Sequence, residues 1–391
     1  MASPQRTSSQ RNSRLRDSRV RTSRLRNSRL RNSRLRRTLI AALVATTLVA
    51  PIAGATSAAA VPAPAPAAMA PLDNAAAVGP VALQARYTTA RSGIGAAERM
   101  AADHGDLKRA AELRTMADPA RRFLSFDGRD GGRTVEAFGD LSTARRIAVL
   151  VPGSDTNLDT YERFRAGAVA LQRQLGDEAV VVAWLGYRTP RTVSPEVLNT
   201  GRADQVAPQL EDFVNGLASA EPDARISVVC HSYGSVVCAR TAHALRVSDI
   251  VLYGSPGTGV DNVAGLHTGA TVWVGRGSHD WIADVPHDRL ELPFLTIGFG
   301  ADPVSPEFGA RIFAAGDGGH SDYLKPGSVP LANIARIVSG QEPTGPAGSG
   351  TSPTGTPPTG TSPTGTPPTG TSNTGTPSST SPSSTTGDRH A

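Results

Sequence analysis

The sequence predicts an α/β protein with a mostly parallel sheet, an antiparallel hairpin at its start and helices on both faces. Three observations predict it. Five runs are apolar nearly throughout: Arg146–Val151, Ala179–Leu185, Ile226–Cys230, Asp249–Tyr253 and Ala270–Val274. A strand buried on both faces reads that way, and such burial is the habit of parallel sheets. Helical stretches alternate with these runs, at Asp159–Leu175, Ala203–Ala218 and Gly234–Leu245. Parallel strands need crossovers of that length. Ahead of them, Arg122–Phe126 and Thr134–Phe138 flank Gly131-Gly132 and read as a hairpin.

Before any strand, the chain of 391 residues opens on an arm, residues 1–37, built on a five-residue repeat that begins Asn12-Ser-Arg-Leu-Arg16. A period of five matches neither 3.6 nor 2, so no apolar face forms, and runs of like charge stay solvated. The first 60 residues hold thirteen arginines against one acid, Asp17, a charge of +12; the whole chain carries +6, so the remainder carries −6. Without its arm the protein is mildly acidic, which argues against reading the basic total as a nucleic-acid footprint. Residues 38–60 are uncharged and apolar after Arg36-Arg37, with small residues at Ala53, Ala55, Ala58 and Ala60. They read as the hydrophobic and cleavage region of a signal peptide, and cleavage near Ala60 places the protein outside the cell or in its envelope. An uncleaved anchor is the alternative, since these 23 residues could span a bilayer.

Residues 61–120 read as a linker and a helical segment, with Ala85–Met116 packed outside the sheet or on the rim of a site. Residues 121–341 hold the predicted catalytic domain. Residues 342–391 repeat Pro, Thr, Ser and Gly with almost nothing apolar to bury. They predict a disordered tail, suited to cell-wall association.

The chemistry centres on Cys230-His-Ser-Tyr-Gly234, between the third apolar run and a helix. A sharp strand-to-helix turn lifts a serine hydroxyl clear of the sheet edge, and small residues two before and two after the serine let strand and helix pack closely. Gly234 meets the second need; Cys230 stands where a glycine is usual for the first. Ser232 is therefore the predicted nucleophile. A hydroxyl needs a base, and the chain order Ser, acid, His directs the search downstream. His390 lies in the tail, His243 on the elbow helix, His267 before the next strand, and His279 and His287 beside the acid candidates. His320 remains, in a glycine-rich loop after the strand-like Ala310–Ala314, and is the predicted base. Asp280, six residues beyond Val274, is the predicted acid; Asp284 is the alternative, or caps a turn before Pro286. His231 adjoins the nucleophile, but neighbours at a strand end face opposite ways, so its role reads as structural. The Tyr233 and Ser154 amides are the predicted oxyanion donors, while Asp155 reads as a cap for the following helix.

Cys230 and Cys238 are the two cysteines of the chain and read as small buried thiols. A disulfide between them is the alternative. No His/Cys cluster has zinc spacing, and Gly257-x-Gly259 is too short for a dinucleotide, so neither metal nor cofactor is expected.

Residues from about Phe123 to Ile337 resemble the α/β-hydrolase superfamily. More narrowly, they resemble an actinobacterial family of secreted or cell-envelope α/β hydrolases of unknown function. The resemblance rests on "VLVPGSDTN", "HSYGS", "VLYGSPG", "DPVSPEFGAR" and "GHSDYL", in that order. It implies the α/β-hydrolase fold and Ser232, Asp280 and His320 as a triad, and it brings no established substrate. The connection from Tyr253 to Ala270 leaves no room for a large lid, while Trp281, Phe294, Phe299 and Phe308 either wall the site or fill the core. The expected function is a secreted serine hydrolase cleaving small-molecule, lipid or envelope carboxylic esters through an acyl-enzyme. An envelope acyltransferase and a non-catalytic wall protein are the alternatives.

Overall fold

The computed structural model describes residues 61–285, 287, 290–292 and 295–345. The arm, the predicted signal-peptide region and nearly all of the predicted tail lie outside these residues, as does Phe294.

Eight strands form one sheet. They are β1 (Phe123–Asp127), β2 (Arg133–Phe138), β3 (Arg146–Val151), β4 (Ala179–Leu185), β5 (Arg225–His231), β6 (Asp249–Tyr253), β7 (Thr271–Gly275) and, after a separate β8–β9 hairpin (Leu290–Leu292 and Leu295–Ile297), β10 (Arg311–Ile312). Their order is β1-β2-β4-β3-β5-β6-β7-β10. The β1–β2 hairpin is antiparallel and β2 joins β4 antiparallel. From β4 to β10 every pairing is parallel. This is the predicted sheet, and with its helices it makes the α/β-hydrolase fold.

Alternate residues of each central strand feed two apolar layers. Ile147, Val149, Val228, Ile250 and Leu252 face α4 (Gly201–Ala220) and α5 (Tyr233–Thr241). Ala148, Leu150, Val181, Val229 and Val251 face α1 (Pro80–Asp103), α2 (Leu107–Met116), α3 (Tyr161–Leu175) and α6 (Val329–Val338). Period-two alternation with both sets buried explains why these strands read as continuous apolar runs.

One expectation is refined and two are corrected. The Ala85–Met116 segment is two helices, because Gly105 turns at φ +85° and the Asp106 side chain caps α2 by accepting from the Arg109 amide at 2.9 Å. Helix α5 stops at Thr241 rather than Leu245. Beyond it, the Asn215 side chain of α4 donates to the Ala244 carbonyl and accepts from the Arg246 amide, both at 2.9 Å, taking backbone groups another helical turn would use. The strand expected over Ala310–Ala314 shrinks to two residues against Trp273 and Val274.

Candidate active site

The carboxyl ends of β3, β5 and β7 converge on one edge of the sheet, where open α/β sheets place their sites. Ser232 follows β5 directly, at φ 51° and ψ −125°. A non-glycine residue held there costs about 1–3 kcal/mol, so its surroundings must over-determine it. The Ser232 amide donates to the Tyr253 carbonyl at 3.1 Å, and the Ser235 amide donates to the Ser232 carbonyl at 2.9 Å. A Cβ on Gly234 would stand 2.6 Å from the Val151 carbonyl oxygen and 2.7 Å from that of Pro152. Glycine is thus the only residue that lets α5 start this close to β3.

At the other flanking position the structure corrects the expectation of free thiols. Cys230 and Cys238 form a disulfide, with Cα atoms 6.5 Å apart. Both are fully buried. The bond joins the end of β5 to the second turn of α5, across the turn that presents Ser232. The side chain in the usual glycine position is therefore a tether between strand and helix.

His320 reaches Ser232 from the loop before α6. Its Nε2 lies 2.9 Å from Ser232 Oγ, and its Nδ1 lies 2.9 and 3.1 Å from the two carboxylate oxygens of Asp280. The carboxylate can only accept, so Nδ1 carries the proton and Nε2 faces the hydroxyl with its lone pair. Asp280 is 3% exposed. Burial alone would raise its pKa, but donors from His320, Tyr323 and the Ile282 amide outweigh that and hold it below the ordinary carboxylate range. Asp284 ends the short 3-10 turn that Asp280 caps, and its side chain is exposed. His243, His267 and His279 are exposed as well.

Two residues that sequence reasoning left out of the site take part in it. Tyr323 donates its hydroxyl to Asp280 Oδ2 at 2.5 Å and accepts from the Gly277 amide at 3.0 Å. Burial and that carboxylate push its phenol well above its ordinary pKa. The phenol is thus a fixed donor. His231, expected to be structural, turns away from Ser232 but toward His320. Its Nε2–H donates to the His320 carbonyl at 2.8 Å, and its ring lies 4.7 Å from the imidazole of His320 and 4.9 Å from Tyr253. Burial, then the His320 neighbour, lowers its pKa to about 3, so it is neutral at physiological pH. Tyr323 lies in "GHSDYL", three residues past His320, and that proximity is the one sequence signal that pointed to it.

The loop after β3 lies against Ser232: a Cβ on Gly153 would stand 2.6 Å from Ser232 Cβ and 3.2 Å from its Oγ. Tyr187 pins that loop by donating to the Pro152 carbonyl at 2.7 Å. Ser154 follows Gly153, beside the hydroxyl. Tyr233 opens α5, where an amide has no acceptor one turn back and is free for a ligand. Asp155, expected to cap α3, instead accepts from the Thr192 amide at 3.2 Å, while Thr160 takes the cap position. Of the aromatics downstream, Phe299 and Phe308 are core, whereas Trp281 is 49% exposed with its ring 4.6 Å from that of His320.

The sequence matches the family described as "Alpha/beta hydrolase" over residues 127–290. An uncharacterized protein of Mycobacterium tuberculosis, Rv0963c, is 33% identical over 189 residues, which cover 42% of this chain and 70% of that protein. A second, Rv2079, is 30% identical over 259 residues, 56% of this chain and 38% of the relative, so the match spans well under half of that longer protein. Among solved structures, an α/β serine hydrolase without a lid from Xanthomonas campestris aligns at 17% identity, covering 57% of this chain and 93% of its own, with a TM-score of 0.35. Esterase LipW from Mycobacterium marinum aligns at 14% identity, covering 69% and 98%, with a TM-score of 0.37.

Proposed function

The chain belongs to the α/β hydrolase family, and within it we propose a serine hydrolase that cleaves carboxylic esters through an acyl-enzyme. Ser232 Oγ attacks the ester carbonyl as its proton passes to His320 Nε2. The resulting oxyanion sits on the Tyr233 and Ser154 amides. As the carbon–oxygen bond breaks, His320 returns the proton to the departing alcohol. Water then repeats the sequence on the acyl-enzyme, and Asp280 stabilises the imidazolium each time it forms. One observation carries this reading: an unbroken relay, Asp280–His320–Ser232, every link within 3.1 Å, ending on a serine strained at the tip of a strand–helix turn.

Export is part of the proposal. The two cysteines of the chain are paired, and such bonds persist in oxidising compartments outside the cytosol. A fluorophosphonate probe tests the chemistry. It should label the folded protein covalently, and Ser232→Ala should abolish labelling and lower p-nitrophenyl ester turnover by about 10⁶-fold. Labelling that survives Ser232→Ala, or a folded wild-type protein that takes no label, defeats the proposal.

A further inference from the structure

The imidazole of His320 contacts two rings of different character. His231 packs on it and on Tyr253 and Tyr323. Trp281 packs on it with its ring 4.6 Å away and tilted by 48°. The other tryptophans, Trp184 and Trp273, are buried at 2% and 6% exposure, while Trp281 leaves half its surface to water. Its backbone is nonetheless fixed on both sides. Asp280 before it is tied to His320 and Tyr323, and Ile282 after it is 3% exposed. An indole held beside His320 with half its surface open to water presents apolar area at low entropic cost.

Position decides which part of a substrate would meet it. When the acyl-enzyme forms, the departing alcohol oxygen takes its proton from His320 Nε2 and must lie within hydrogen-bond reach of it. The acyl oxygen lies on the other side, toward Ser154. An alcohol of more than a few atoms therefore extends past His320, where Trp281 stands. We propose that Trp281 is the leaving-group platform of this site and that the substrates are esters of ring-bearing alcohols, whose ring packs on the indole. This rests on the ester-hydrolase reading above and adds the class of alcohol to it.

Acetates of one acyl group and three primary alcohols test it: ethyl, cyclohexylmethyl and benzyl acetate. All three pass through the same acetyl-enzyme, so differences in kcat/KM report the step in which the alcohol leaves. In Trp281→Ala the ratio of kcat/KM for each ring ester over ethyl acetate should fall about fivefold to tenfold, the scale of one aromatic contact. Trp281→Phe, which keeps a ring, should retain most of that ratio and guards against a misfolded alanine variant. Ratios unchanged in both variants, with Ser232-dependent turnover intact, would overturn the platform alone. Absence of Ser232-dependent turnover of all three acetates by the wild-type protein would instead overturn the hydrolase reading beneath it.

Discussion

The turn that carries Ser232 and the loops that bring Asp280 and His320 to it are held by different means. The turn is local. A strand, a strained serine, a glycine with no room for a Cβ and a disulfide eight residues in span all fall between Arg225 and Thr241. The loops are assembled at a distance by polar contacts. Ser278 donates its amide to the Gly316 carbonyl at 3.1 Å, Tyr323 joins Asp280 and Gly277, and a Cβ on Gly277 would stand 2.2 Å from the Gly318 carbonyl oxygen. Covalent and steric restraint does not titrate, whereas a polar network built on carboxylate, imidazole and phenol does. Damage to the turn should therefore show as lost stability, and damage to the loops as a changed response to pH.

The largest effect expected is on the turn. Replacing both Cys230 and Cys238 by alanine removes a short covalent loop, whose closure is worth about 2–3 kcal/mol in the chain-entropy account. Urea unfolding at pH 7.5 should show a loss of that size, with the pH midpoint of kcat/KM unmoved. A moved midpoint with little loss of stability would mean the disulfide shapes the base rather than the turn.

His231 sits on the turn by sequence and in the loops by contact, so it sharpens the division. Its folded pKa, about 3, lies far below the ordinary value of 6.5. Below pH 6.5 the unfolded chain takes up a proton that the folded chain refuses. The stability contributed by the neutral ring is complete above that pH and is lost as pH falls toward 3. At pH 5 the loss is about 2 kcal/mol. His231→Gln keeps a donor for the His320 carbonyl and does not titrate, so between pH 7.5 and pH 5 it should lose about 2 kcal/mol less than wild type. Equal losses would show that His231 protonates freely in the folded protein.

The same division governs what the sequence revealed. Ala179–Leu185 and Asp249–Tyr253 are strands over the very residues predicted, because a strand buried on both faces writes its limits in composition. Ser232, Asp280 and His320 were nameable from chain order, and the structure brings them within hydrogen-bond reach. The failures are long-range or depend on direction. The end of α5 is set by Asn215, on another helix. The β8–β9 hairpin alternates apolar and polar residues, but its strands of three residues each are too short for that pattern to mark them. The disulfide depends on how Cys230 and Cys238 face each other across the turn, which spacing alone does not specify. Tyr323 looks like any core tyrosine until the fold sets Asp280 against it.

Tyr323 offers the finest test of the loop side. Its hydroxyl donates to Asp280 Oδ2, the same carboxylate that orients His320. A donor on that carboxylate stabilises its charge. Removing the hydroxyl withdraws one of the donors that hold the Asp280 carboxyl below its ordinary range. In Tyr323→Phe the Asp280 carboxyl should therefore protonate at higher pH than in the wild type, and the acidic limb of the kcat/KM profile, below which that carboxylate is lost, should move up. The Gly277 amide loses its acceptor in the same variant, so some stability will be lost too. The limb separates the two effects. A phenol that only packs would lower stability and leave the midpoint in place, whereas one that tunes the carboxylate must move it, and upward.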